Sequence, residues 1–398
     1  MKYQILILSA AALVLAGCGT RSSESPREMP VAPELISVLN DAKSLTKEES
    51  ARYAGELSVF WKDSVKYVNF TAFERRRLTI GANTMKLWWT GYGDVPADGR
   101  SLVISLHGGG GTTSDVNDQQ WNNQKRLYQP SDAIYLCPRA IQDTWDLHFV
   151  KEADAFYEEI IHYAVADLKV NPNKVYIMGY SAGGDGVWRL APRLADHWAA
   201  ASMMAGHPGD VSLVNLRNTP FAIWCGAEDS AYERNLRCAE RIVEMDALQA
   251  ADPEGYVHDG HIVEGKEHWM DLEDAAAVPW MQQFIRNPFP AKIVWKQEEV
   301  LRNSFYWIGV PPAETARGKE ASAHVEGNTI IIDNCDYTFI TLYLNDALLD
   351  LDKPVKVVYG DKVLFSGNVT RTPADMRRSM RDLQDIARLS PVVLQVNF

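Results

Sequence analysis

The sequence predicts an α/β protein: a mixed, mostly parallel sheet flanked by helices, followed by a β-rich C-terminal appendage. Three observations carry this. Between residues 100 and 290, short apolar, β-branched runs alternate with stretches whose apolar residues recur at helical spacing, as in parallel strands joined by crossover helices. Inside that region, Lys174-Val175-Tyr176-Ile177-Met178 leads through Gly179-Tyr180-Ser181-Ala182-Gly183-Gly184 into Val187-Trp188-Arg189-Leu190. A glycine-flanked serine therefore sits on a strand-to-helix turn. After Pro288-Phe289-Pro290 the alternation stops and strand-like runs dominate.

The chain begins with an address. Met1-Lys2 precedes an apolar run over residues 5–16, shorter than the roughly 20 residues a bilayer span needs and suited to a secretory signal peptide. The run ends Leu15-Ala16-Gly17-Cys18, which resembles the lipobox of bacterial lipoproteins. That resemblance implies cleavage before Cys18 and acylation of its thiol. Gly19 at the next position resembles lipoproteins sent to the outer membrane, so the expected place is the cell envelope, facing periplasm or surface. Residues 1–17 are then signal peptide and residues 18–33, rich in Ser and Pro, a flexible tether. The main domain, with N-terminal helices, is expected over 34–290 and the β-rich domain over 291–398.

The chain has 398 residues, 46% of them hydrophobic, and a net charge of −12. That supplies a large core. No basic cluster exceeds Arg75-Arg76-Arg77, which argues against nucleic acid and against attraction to anionic lipid. Cys18 aside, four cysteines remain, and three pairings exist if all are oxidised. Cys137 and Cys225 fall in strand-like runs and read as buried thiols; there is no C-x-x-C.

In chain order, residues 34–62 read as helix, with Thr46 and Glu49 at capping-box spacing. Residues 65–70, 77–80 and 85–89 read as antiparallel edge strands. Strands are then expected at 102–106, 133–137, 174–178, 200–204, 221–225 and 258–263, and helices at 153–168, 182–195, 232–249 and 272–285. In the appendage, strands are expected at 292–295, 304–308, 329–332, 339–344, 355–359, 363–365 and 392–398. One helix interrupts them, capped by Thr372 and opened by Pro373.

The chemistry follows from Ser181. A serine on a crowded turn needs neighbours without Cβ atoms, and it needs a base held by a third group. His268, in the loop past the last strand of the alternating region, can reach back over the carboxyl edge of the sheet. His258 and His261 lie on the strand itself, and His324 falls in the appendage. For the acid, Glu228 and Asp229 both follow the strand over 221–225. The residue after the nucleophile, Ala182, offers one oxyanion-hole amide; the glycines of His107-Gly108-Gly109-Gly110-Gly111 offer another, with Gly109 and Gly110 the candidates. No G-K-[ST] follows them, which excludes a phosphate loop of that type. Trp121, Trp145 and His148, with Phe149, fall in loops past carboxyl-edge strands and are candidates to wall a substrate pocket. His207, at the end of another strand on the same edge, reads as structural, with an approach to the site as the alternative, and Asp185, one turn past the nucleophile, reads as a packing or capping residue.

The elbow, the HGGGG run, the loop from Gly226 to Asp229 and Glu267-His268-Trp269 together resemble the α/β-hydrolase superfamily. Within it the likeness is to secreted polyhydroxybutyrate-depolymerase-like enzymes and feruloyl- or acetyl-ester hydrolases, and more distantly to dienelactone hydrolases and prolyl-oligopeptidase catalytic domains. It covers about residues 100–290. Asp229 rather than Glu228 matches the family's acid position. Position 180 departs, being tyrosine where many relatives have histidine or leucine. The resemblance implies a Ser181-Asp229-His268 triad, an acyl-enzyme, a small-molecule or polymeric ester substrate such as esterified polysaccharide or short acyl esters, and no metal or other cofactor. Two alternatives stand beside it: a serine peptidase, since the same triad cleaves amides, and a non-catalytic binding protein on this fold. A guarding domain such as a propeller would favour the first, and a missing triad member the second. Neither feature is evident in the sequence.

Overall fold

A computed structural model describes residues 43–398. The signal peptide, Cys18, the tether and the start of the helix expected from residue 34 lie outside the described residues.

The first described element is helix α1 (Lys47–Glu74), opened by the expected capping box. Glu49 N–H donates to Thr46 Oγ1 (3.2 Å), and Thr46 N–H donates to Glu49 Oε2 (3.0 Å). The helix runs through the strand expected at 65–70. Tyr53, Leu57, Trp61, Val65, Asn69 and Phe73 recur every four residues along it. Phe73 stacks on Tyr163 with ring centroids 3.8 Å apart. A continuous buried stripe outweighs the local strand preference of Val65 and Val68.

The main sheet has eight strands: β1 (Arg77–Ile80), β2 (Asn83–Tyr92), β3 (Arg100–Leu106), β4 (Ala133–Arg139), β5 (Val170–Tyr180), β6 (Ala200–Met204), β7 (Phe221–Gly226) and β8 (His258–Val263). Their order is β1-β2-β4-β3-β5-β6-β7-β8. β1 pairs antiparallel with β2 and β2 with β4, and every later pairing is parallel. Between strands come α2 (Ser114–Gln124), α3 (Ala153–Asp167), α4 (Ala182–Arg193) and α5 (Arg234–Ala251). α2 escaped the sequence reading, because its buried residues, Asn117 and Gln124, are polar. The helix expected at 272–285 is instead a 3₁₀ turn (Glu273–Ala276) and a short α6 (Ala277–Met281). Pro279 has no N–H to continue the preceding turn, and Asp274 is held by the buried Tyr128 hydroxyl.

Beyond Pro290 lie two further sheets. One has the order β10-β11-β14-β17 and comprises β10 (Ser304–Phe305), β11 (Ile308–Gly309), β14 (Phe339–Leu344) and β17 (Val392–Asn397). The other has the order β16-β15-β13-β12-β9 and comprises β9 (Lys292–Lys296), β12 (Glu320–Glu326), β13 (Thr329–Cys335), β15 (Val355–Tyr359) and β16 (Lys362–Gly367). Both feed one core that includes Trp295, Phe305, Trp307, Ile330, Leu342 and Val357. The single strand expected at 304–308 is a tight hairpin turned at Tyr306, whose φ is 49°. β12 was missed because its inward residues are the small Ala321 and Ala323. α7 (Pro373–Leu383) starts as expected, with Asp375 N–H bonded to Thr372 Oγ1 (3.1 Å).

A buried ionic seam joins this part to the main sheet. Arg388 pairs with Asp196 and Asp385, and Arg286 reaches Asp385 at 2.7 Å. Among the described residues no helix is long and apolar enough to cross a membrane.

Candidate active site

β5 ends in the turn that carries Ser181, whose φ of 57° and ψ of −122° are unusual for a residue with a side chain. Such a conformation costs on the order of 1–3 kcal/mol and persists only where its surroundings enforce it. Two glycines allow it: a Cβ on Gly179 would stand 2.3 Å from Gly183 O, and one on Gly183 would stand 2.2 Å from Leu106 O. Ser181 N–H is fixed on the neighbouring strand end, bonding to Met204 O at 2.9 Å.

The structure brings Ser181, His268 and Asp229 into one hydrogen-bonded chain. Ser181 Oγ lies 2.9 Å from His268 Nε2, and His268 Nδ1 lies 2.7 Å from Asp229 Oδ2. With the Nδ1 proton directed at the carboxylate, Nε2 is free to accept from the serine hydroxyl. Asp229 is buried in the loop after β7, and its other oxygen lies 3.3 Å from Arg234. Glu228, the other acid candidate, is exposed. His268 sits in the loop after β8, and Tyr180 ties that loop down: its hydroxyl donates to His268 O (2.6 Å) and accepts Met270 N–H (3.2 Å). The sequence offered only a tyrosine in an unusual place; this strap depends on the folded loop.

The glycine loop after β3 sits beside the serine. Of the two candidate donors, Gly110 is already committed: its N–H bonds to Asn117 Oδ1 (3.0 Å) and its carbonyl accepts from Asn117 Nδ2 (3.0 Å). Asn117 Nδ2 also reaches Asp143 at 2.8 Å. Gly109 at φ 112° and Ala182 at the start of α4 keep their N–H groups without an acceptor among the described residues. His107, which opens the loop, is fully buried, bonded through Nδ1 to Gly108 O (2.6 Å) and through Nε2 to Ala140 N–H (3.2 Å). Burial holds its imidazole well below the usual range, hence neutral.

The cleft at Ser181 is lined by Gly108, Gly109, Tyr180, His268 and Trp269, and along one side by Gln120, Asn123, Gln124, Arg126 and Leu127. The three residues expected to wall it are placed otherwise. His148 is fully buried beneath the loop, with Nε2 on His107 O at 2.8 Å, and burial lowers its pKa to about 4. Trp121 is on α2, half-buried, and donates its indole N–H to Cys137 O (2.9 Å). Trp145 is 60% exposed and stands over Gly110 and Gly111, edge-on to Tyr232 at 6.3 Å. Trp269, 45% exposed and 5.5 Å from the Tyr180 ring, is the aromatic that lines the cleft.

Asp185, in the first turn of α4, accepts His207 N–H at 2.6 Å, and burial raises its pKa to about 6. Cys137, Cys225, Cys238 and Cys335 are all free thiols, the first three buried. No three His, Cys, Asp or Glu side chains among the described residues cluster as metal ligands would.

No family model and no curated protein sequence matches this chain. Solved structures do. A thermostable esterase is 19% identical over 53% of this chain and 64% of its own, with a TM-score of 0.41. The BES protein from Bacillus cereus is 10% identical over 53% and 93%, with a TM-score of 0.40. The fluorophosphonate-binding serine hydrolase F of Staphylococcus aureus is 14% identical over 52% and 96%, with a TM-score of 0.38. At such values the assignment rests on the molecule itself. The strand order, the parallel run from β4 to β8 and the strained serine turn between β5 and α4 make this an α/β-hydrolase fold.

Proposed function

We propose that the protein is a serine hydrolase of carboxylic esters acting through Ser181, His268 and Asp229. The observation that carries this reading is the unbroken chain from Ser181 Oγ to His268 Nε2 (2.9 Å) and from His268 Nδ1 to Asp229 (2.7 Å). His268 takes the serine proton as Oγ attacks the ester carbonyl, and Asp229 stabilises the imidazolium that forms. Charge developing on the carbonyl oxygen is met by the N–H groups of Ala182 and Gly109, each such donor being worth about 2.7–4 kcal/mol. His268 then returns the proton to the departing alcohol. Water, deprotonated by the same imidazole, releases the acid.

The envelope address belongs to the same reading: Cys18 is the acylated anchor and the hydrolase works at the outer membrane. The test is hydrolysis of p-nitrophenyl acetate and butyrate by the chain lacking residues 1–18, beside Ser181→Ala. Turnover should fall at least about 10³-fold in the variant. Absence of both turnover and fluorophosphonate labelling in the parent overturns the assignment. For the anchor, Cys18→Ser should move the full-length chain from membrane to soluble fraction.

A further inference from the structure

The side of the cleft formed by α2 has a pattern that ester hydrolysis as such does not require. Gln120, Asn123 and Arg126 recur every third residue along the end of α2 and its first turn beyond, so they share one face. All three line the cleft that holds Ser181 and His268. Gln120 is close to the reacting centre, its Oε1 only 3.7 Å from where a Gly108 Cβ would stand.

None of the three side chains has a partner in the fold among the described residues. Their neighbours do: Lys125 lies 3.3 Å over the Trp121 ring and bonds to Asn122 Oδ1, while Gln124 is spent on Ser105 Oγ at 2.8 Å. Arg126 is exposed, and among the described residues no carboxylate pairs with its guanidinium, on a chain whose net charge is −12. Among the described residues no Asp or Glu lines the cleft either. An unpartnered guanidinium and two unpartnered carboxamides, lining a cleft with no acid among the described residues, suit an oxyanion.

Resting on the ester-hydrolase reading, we infer that the natural substrate is a hydrophilic ester carrying a negative charge away from the scissile bond, held by Arg126 with Gln120 and Asn123 along the Ser181 cleft. Trp269 presents a flat apolar surface across the same cleft for the uncharged part. The charge can enter with the acyl half or with the alcohol, and the two are separable by substrate.

The experiment compares kcat/KM for matched charged and neutral pairs. Mono-p-nitrophenyl adipate against its methyl ester places the charge on the acyl half; 4-acetoxybenzoate against its methyl ester places it on the leaving phenol. The parent should favour the charged member of one pair. Arg126→Gln should lower that preference about tenfold, the scale of one charge-assisted contact, and Arg126→Lys should restore part of it. Salt of about 0.5 M should compress the preference in the parent. The inference is overturned, with the ester reading intact, if Ser181-dependent turnover shows no charge preference, or if Arg126→Gln leaves the preference unchanged. If no ester is turned over in a Ser181-dependent way, the function assignment fails and this inference with it.

Discussion

Asn117 offers the most discriminating test of how the oxyanion site is built. It is fully buried on α2 and makes three hydrogen bonds: from Gly110 N–H, to Gly110 O and to Asp143, at 3.0, 3.0 and 2.8 Å. Asn117→Ala removes all three. At about 1 kcal/mol net for each, the fold should lose on the order of 3 kcal/mol, which a protein of this size can survive. The larger effect should be catalytic. Gly109, at φ 112°, adjoins Gly110, which Asn117 clamps through both its N–H and its carbonyl. Releasing the clamp leaves the Gly109 donor present but no longer aimed. A preorganised donor is worth about 2.7–4 kcal/mol, so forfeiting about 2–3 of that should lower kcat roughly 30- to 160-fold. KM should move little, because an oxyanion donor acts on charge absent from the bound ester. Asn117→Asp keeps the acceptor for Gly110 N–H but cannot donate to Gly110 O and faces Asp143, so its kcat should fall in between. The assay is p-nitrophenyl butyrate kinetics, with near-ultraviolet circular dichroism to establish that each variant is folded. A folded Asn117→Ala enzyme with kcat within about twofold of the parent would refute this reasoning and leave Asn117 a structural residue only.

Three further outcomes follow from the same geometry. Tyr180→Phe removes the hydroxyl strapping the His268 loop to β5 through contacts of 2.6 and 3.2 Å; kcat should fall about tenfold with KM nearly unchanged, and an unaltered kcat would release Tyr180 from this role. Asp185 has a folded-state pKa raised to about 6, so between the unfolded value near 3.9 and about 6 the folded state binds more protons, and stability is lost as pH rises through that window. Asp185→Asn should therefore gain stability relative to the parent by about 1–3 kcal/mol on going from pH 4 to pH 7.5, read from urea titrations, and a difference independent of pH would exclude the linkage. Arg388→Met leaves Asp196 and Asp385 buried without their shared cation and should cost about 3–5 kcal/mol in the same titration; a loss below about 1 kcal/mol would mean that the seam is replaceable.

What the sequence made legible and what it hid divide along a physical line. The strands from β3 to β7 and the serine turn were legible because each depends on local pattern: short apolar runs buried on both faces, and glycines where a Cβ would strike backbone 2.2–2.3 Å away; β8 is the half-buried edge strand. Chain order pointed to His268 and to the loop after β7 but left Glu228 and Asp229 open, and only the resemblance favoured Asp229; the folded loops place Asp229 2.7 Å from His268 Nδ1 and leave Glu228 exposed. Three features needed the third dimension. α1 overran a strand-like segment because its buried four-residue stripe packs into the main core, with Phe73 stacked on Tyr163 of α3, and His148 lies beneath the loop with Nε2 on the His107 carbonyl at 2.8 Å. α2 was invisible to a search for apolar periodicity, since its 11 residues bury only Asn117 and Gln124. That polarity is itself the link between fold and chemistry. One face of α2 spends its amides inward, on Gly110 and Ser105, while Gln120 and Asn123, with Arg126 just past its end, keep their polar groups without a partner among the described residues at the cleft. A helix given over to an apolar core could do neither, so the element that pattern reading found hardest to see is the one that joins the glycine loop to the polar side of the cleft.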